Sequence, residues 1–124
     1  MLTVASTPNT PTIEFDSANG VLTIAGKSIA EDSQEFYRPL IEALKEYKIK
    51  PCLQTTVNLK LVYFNTSSSK SILDVLRLLE SLKSDSEVTI NWYYEKEDED
   101  MLEVGEDYSE IVNIPFSMVE VDSL

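Results

Sequence analysis

"LKLVYFNTSSSKSILDVLRLLESL", Leu59 to Leu82, changes its hydrophobic period halfway along. Between Thr55 and Phe64, the residues Val57, Leu59, Leu61 and Tyr63 fall on every second position, the period of a strand. Val62 and Phe64 make the end of that run apolar on both faces, which predicts a strand enclosed within a sheet. Ile72, Leu73, Leu76, Leu79 and Leu82 then follow at helical spacing, with Val75 and Leu78 widening the stripe. A buried strand leading into a helix that packs back on its sheet is half of a crossover unit, and it points to an α/β fold.

The flanking sequence extends this pattern in both directions. "TIEFD" and "GVLTIAG" alternate around Ser17-Ala18-Asn19-Gly20, where the Asn-Gly pair supplies the positive φ angles of a tight hairpin. "AEDSQEFYRPLIEALKEYKI" carries Phe36, Leu40, Ile41, Leu44 and Tyr47 at helical spacing, with Asp32 as N-cap and Glu35 completing a capping box. Pro39 lies inside that pattern, so the helix is either kinked there or begins later than the cap suggests, and Pro51 ends it. Val88, Ile90, Trp92 and Tyr94 alternate as a further strand whose Tyr93 points the other way. The acidic run "EKEDEDMLEVGEDYSEIV" predicts a solvated helix or helical turn interrupted at Gly105, and "IPFSMVEV" a last strand. Residues 1–11, with Ser6, Thr7, Pro8, Asn9, Thr10 and Pro11, read as a flexible leader, and residues 12–124 as the single domain. The expected fold is a single compact α/β domain: a mixed β-sheet of about five or six strands with packed helices.

Composition narrows the function. The 124 residues carry 22 acids against 10 bases, a formal net charge of −12, so a nucleic-acid backbone or an anionic membrane surface is repelled. No apolar run approaches the roughly 20 residues that span a bilayer, and the N-terminus lacks the features of a signal peptide, which predicts a cytoplasmic protein. The chain has no histidine, the usual general base and the commonest zinc ligand, and its lone Cys52 sits between Pro51 and Leu53 as a small apolar residue. Neither an enzyme nor a metal protein is expected, and no cofactor. The acidic segment lacks the ligand spacing of a calcium loop and reads as a solvated face.

What remains is the junction itself, Asn65-Thr66-Ser67-Ser68-Ser69 followed by Lys70. One such residue suffices to cap a helix, so two readings fit. The hydroxyls are a cap with idle neighbours, or the helix N-terminus, with its free N–H groups, its dipole and Lys70, is a place for phosphate. No glycine occurs between Gly26 and Gly105 to cradle a nucleotide, which favours a covalent phosphate over a bound one.

"LKLVYFNTSSSKSILDVLRLLESL", together with "GKSIAEDSQEFYRPLIEALKEY" before it and "VTINWYYEKEDEDMLEVGEDYSEIVNIPFSMV" after it, resembles the SiaC family of regulatory phosphoproteins from about Thr12 to Val121. The Asn-Thr-Ser-Ser-x-Lys turn, the "LLE" helix, the Trp-Tyr-Tyr strand end and the acidic Gly-Glu-Asp segment carry the likeness. More distantly the arrangement is STAS-like, similar to anti-sigma-factor antagonists, although their Asp-Ser-Ser-Gly form is missing. The resemblance implies a partner-switching protein phosphorylated on Thr66 by a dedicated protein kinase and dephosphorylated by a metal-dependent phosphatase. It also implies that the unphosphorylated form binds and activates a diguanylate cyclase, linking the switch to cyclic di-GMP and biofilm behaviour, and that phosphorylation abolishes the contact. Asn65, Ser67, Ser68 and Lys70 are then the candidate partner-binding residues around Thr66. The alternative is a small non-catalytic interaction module, or an antagonist-like protein, whose Ser/Thr run is only a helix cap.

Overall fold

The computed structural model describes residues 1–124. Nine elements follow one another: β1 (Leu2–Val4), β2 (Thr12–Asp16), β3 (Val21–Ser28), α1 (Ser33–Tyr47), β4 (Gln54–Phe64), α2 (Thr66–Glu80), β5 (Glu87–Glu95), α3 (Glu99–Ile111) and β6 (Phe116–Val121). The six strands form one mixed sheet in sequential order, β1-β2-β3-β4-β5-β6. β1 to β3 pair antiparallel, and β3 to β6 pair parallel through the three helices.

That order decides where the helices go. Right-handed crossovers that always advance in the same direction across a sheet leave every helix on the same face. Accordingly the inward positions of the strands, among them Ile13, Phe15, Leu22, Ile24, Val57, Leu59, Leu61, Val88, Ile90 and Trp92, join Leu40, Leu44, Ile72, Val75, Leu76, Leu79 and Tyr108 of the helices in a single cluster of 23 buried residues. The alternate positions, such as Thr23, Thr56, Asn58, Thr89 and Asn91, are half-buried against one another on a face that no helix covers, where Asn91 donates to Asn58 at 3.0 Å. The same order brings the N-termini of α1, α2 and α3 to one edge of the sheet, beyond the C-terminal ends of β3, β4 and β5.

The structure departs from the sequence reading in five places. Residues 2–4 are not part of a loose leader: Leu2 and Val4 lie opposite Phe15 and Ile13 and extend the sheet by a strand, and their half-buried side chains join its core. The hairpin closes on Asp16 opposite Val21 through a four-residue turn in which Gly20 has φ +68 and Asn19 does not have positive φ. The Asp16 carboxylate takes both Asn19 donors, at 3.2 and 2.7 Å, and fixes that wider turn. Pro39 neither breaks nor delays α1, whose Asp32 cap accepts the Glu35 N–H at 3.1 Å while the Glu35 side chain pairs with Arg38 instead of closing a capping box. The end of β4 is not enclosed on both faces: Tyr63 is 57% exposed, Val62 is half-buried on the uncovered face, and the register shifts there by one residue against Gly26 and Lys27.

Finally, α3 runs unbroken through Gly105. A Cβ at that position would lie 2.5 Å from Trp92 Cδ1, so the glycine is where the helix backbone touches the indole. The Trp92 Nε1–H donates to the Met101 carbonyl at 2.9 Å and completes the contact.

Candidate functional site

The turn from β4 into α2 is built by Asn65. Its extended backbone, φ −90 and ψ 176, aims the side chain at the helix, where Oδ1 accepts the Ser68 N–H at 2.9 Å. Its carbonyl accepts the Ser69 N–H at 2.9 Å, and its own N–H donates to the Ser28 carbonyl at the end of β3, 3.2 Å away. The cap is thereby tied to the neighbouring strand as well as to its helix. Thr66 and Ser67 occupy the first two helical positions, whose N–H groups have no intrahelical partner and face outward along the axis.

The hydroxyls that follow are not equivalent. Ser68 is fully buried, and its Oγ accepts from Ser28 Oγ at 2.9 Å. Ser28 has a single proton and spends it on Ser68, so the Tyr37 phenol, 2.7 Å away, donates to Ser28. Burial raises the Tyr37 pKa to about 12, which keeps that donor protonated. Ser67 lies at the surface, yet its hydroxyl is shared at 2.7 Å with the buried Ser33 of α1, which also meets Ser71 at 3.0 Å. Ser69 is half-buried, and its carbonyl accepts the Tyr108 hydroxyl of α3 at 2.8 Å. Thr66 alone in the run is both exposed and free of a hydrogen bond at its hydroxyl, with exposed Lys70 one turn further along.

Of the expected partner-binding residues, Asn65, Ser67 and Lys70 therefore reach the surface around Thr66, and Ser68 does not. With no accessible area, Ser68 shapes the site from beneath, locking the first turn of α2 to β3 and α1. Sequence reasoning missed Ser28, Ser33, Tyr37 and Tyr108, which hold the turn. They come from three other elements, and only the Asp32-Ser33 start of α1 carried a local signal, that of a cap.

Around Thr66 the N-termini of α1 and α2 enclose a groove of about 420 Å³ lined by Asp32, Ser33 and Gln34 on one side and Thr66, Ser67, Lys70, Ser71 and Asp74 on the other. Through Gln34 and Asp74 it continues into a second groove of about 560 Å³ along the outer surfaces of both helices. There Arg38, Lys45, Lys48 and Arg77 surround Ile41 and Leu78, with Glu42 and Asp74 as the acids. Four of the ten basic residues of a strongly acidic chain thus line the groove that leads away from the candidate switch, with Arg38 on the N-terminal half of α1 and Lys45, Lys48 and Arg77 towards the far ends of the two helices.

A family model described as SiaC family regulatory phosphoprotein matches residues 4–121. An uncharacterized protein of Pseudomonas aeruginosa is 30% identical over 118 residues, 94% of this chain and 94% of that protein. A chain in the crystal structure of diguanylate cyclase SiaD in complex with its activator SiaC, from the same organism, is 29% identical, with a TM-score of 0.90 and coverage of 98% of this chain and 100% of that one. Apo-SiaC of Pseudomonas aeruginosa is likewise 29% identical, with a TM-score of 0.85 over 95% of this chain and 97% of that one.

Proposed function

The chain belongs to the SiaC family of regulatory phosphoproteins, and from that premise we propose that Thr66 is its phosphorylated residue and that phosphate there releases an effector protein. The observation that carries the reading is the difference among the hydroxyls of one run: the neighbours of Thr66 are buried, half-buried or hydrogen-bonded, while its own hydroxyl stands free at the first position of α2. A kinase meets an accessible acceptor held on a rigid turn, and a phosphatase reaches the product by the same approach.

The effector we infer is a diguanylate cyclase, since one SiaC chain that this fold matches, at a TM-score of 0.90, is the activator of such an enzyme. It reads the surface formed by Asn65, Thr66, Ser67 and Lys70 and continues onto the basic groove of Arg38, Lys45, Lys48 and Arg77. Phosphothreonine adds roughly 1.5 to 2 negative charges at one end of that surface. Asp32 and Asp74 already flank the position, so the added charge deepens an acidic spot at the end of an otherwise basic groove and repels the acidic groups of a partner matched to that groove. The helix N-terminus stabilises the phosphate, and nothing in the fold has to unravel. The chain itself acts by binding, as the substrate of its kinase and phosphatase and not as a catalyst, and works in the cytoplasm where the kinase finds ATP.

The test is phosphosite mapping on protein from native cells, together with calorimetric titration of the cognate cyclase by wild type, Thr66→Ala and Thr66→Glu. We expect phosphate on Thr66, retained binding by the alanine form and affinity lowered at least about tenfold by the glutamate form. An unmodified Thr66 with three equal affinities reduces the run to a helix cap on a passive interaction module.

A further inference from the structure

An open pocket of about 710 Å³ lies on the face of the sheet that the helices leave bare, away from Thr66. Its lining includes no aspartate or glutamate, in a chain where such residues number 22, but does include Lys27 and Lys60. A pocket lined by two lysines and by no acidic side chain, on a protein of charge −12, is a place where an anion meets less repulsion than elsewhere on the surface, although the Leu124 end of the chain and the Glu95 carboxylate that accepts its N–H at 3.3 Å stand at one rim.

The pocket is built by specific contacts. Its outer wall is the turn 7–10, closed by the Thr7 and Thr10 hydroxyls at 2.7 Å and pinned to the β3–α1 connection by the Ile29 N–H on the Asn9 carbonyl at 2.9 Å. Next to it Gly26, at φ +116, brings its backbone close beneath Pro11, whose Cα is 3.5 Å from where a Cβ would stand. On the floor, Lys60 Nζ rests 4.9 Å from the centre of the Tyr93 ring, which holds the ammonium over the sheet. Ala25, Val62 and Val121 supply apolar surface beside it.

We propose that this cavity binds a small organic anion, its carboxylate or phosphate between Lys27 and Lys60 and its planar apolar body against Tyr93, Val62 and Val121. The volume lies within the range of pockets that take small ligands, and apolar surface beside a few charged and polar groups is a usual construction of such sites. The proposal is independent of Thr66, since the two sites lie on opposite sides of the sheet.

The experiment is an amide-resolved NMR titration of the full chain with benzoate, phenyl phosphate, neutral benzyl alcohol and inorganic phosphate. Saturating shifts clustered at Thr12, Ala25, Val62 and Val121 are expected from benzoate or phenyl phosphate, and the tighter of the two identifies the preferred anion. Benzyl alcohol and inorganic phosphate should bind at least about tenfold more weakly, because each lacks one half of the recognised chemistry. Lys27→Met and the Lys27→Met/Lys60→Met pair should lose affinity stepwise while their thermal midpoints stay at the wild-type value. The assignment is overturned if neither aromatic anion saturates those amides at about 20 mM, if the neutral probe binds as well, or if the folded lysine variants bind unchanged.

Discussion

Gly105 and Tyr37 show how single residues hold the switch turn from a distance. Any side chain at Gly105 enters the Trp92 indole, which itself meets Phe64 edge to face, with ring centres 6.4 Å apart, and lies tilted against Tyr108 at 5.6 Å, the tyrosine that reaches the Ser69 carbonyl. Gly105→Ala should therefore cost about 1–3 kcal/mol in urea unfolding despite the higher helix propensity of alanine, and it should perturb the amide of Ser69. Tyr37 gives a pH signature. Its folded pKa, about 12, lies above the unfolded value near 10, so its contribution to stability is complete below about pH 10 and is lost as pH rises towards 12. Tyr47 and Tyr108 are also raised by burial and act in the same direction. Stability should fall steeply across that window, and Tyr37→Phe should flatten the fall without abolishing it, at the cost of about 1 kcal/mol at neutral pH for the hydrogen bond to Ser28. Denaturant unfolding of both proteins between pH 8 and about 12 decides the matter.

At the scale of elements, α1 carries an uncommon burden. Pro39, exposed in the seventh helical position, removes the hydrogen bond to the Glu35 carbonyl, yet Tyr37, Leu40, Leu44 and Tyr47 bury enough surface to keep the helix continuous. Pro39→Ala should stabilise the protein by on the order of 1 to 3 kcal/mol in urea unfolding; an unchanged midpoint would show that the helix has absorbed the proline without strain. What the sequence makes legible is what rests on near neighbours in the chain. The 55–82 stretch declares its strand, cap and helix because each rests on neighbours two to four positions away, and Asn65 caps where its residue type predicts. Thr66 is legible as part of a run, but its distinction from Ser67 and Ser68 is not, because that depends on Ser28, Ser33 and Tyr37, which lie 29 or more residues earlier in the chain. Leu2–Val4 is hidden for a similar reason: three residues have no period of their own, and their strand exists only because β2 offers an edge. Gly105 reads locally as a helix breaker, and only the indole on the adjacent strand shows that it is a contact.

For the molecule as a whole, the net charge of −12 loads the folded state with self-repulsion. Moderate salt should raise the thermal midpoint by screening it, while the same salt should weaken binding of an effector that uses the basic groove. Scanning calorimetry and binding isotherms between about 0.05 and 0.5 M sodium chloride would show the two trends diverging, and parallel trends would remove the groove from the interface. The strand order has a different kind of consequence. In many α/β sheets a strand must wait for a neighbour that lies far ahead in the chain. Here each strand from β2 onward lies beside the one made immediately before it. A polypeptide leaving the ribosome can therefore add each strand to a surface already present, first through a hairpin and then through one helix at a time. The contacts that close the sheet span short stretches of sequence, and no edge waits long for its partner. Synthesis and folding run in the same direction: the switch turn takes shape when α2 docks, before β5 and β6 exist, and Tyr108 of α3 adds its bond to Ser69 afterwards.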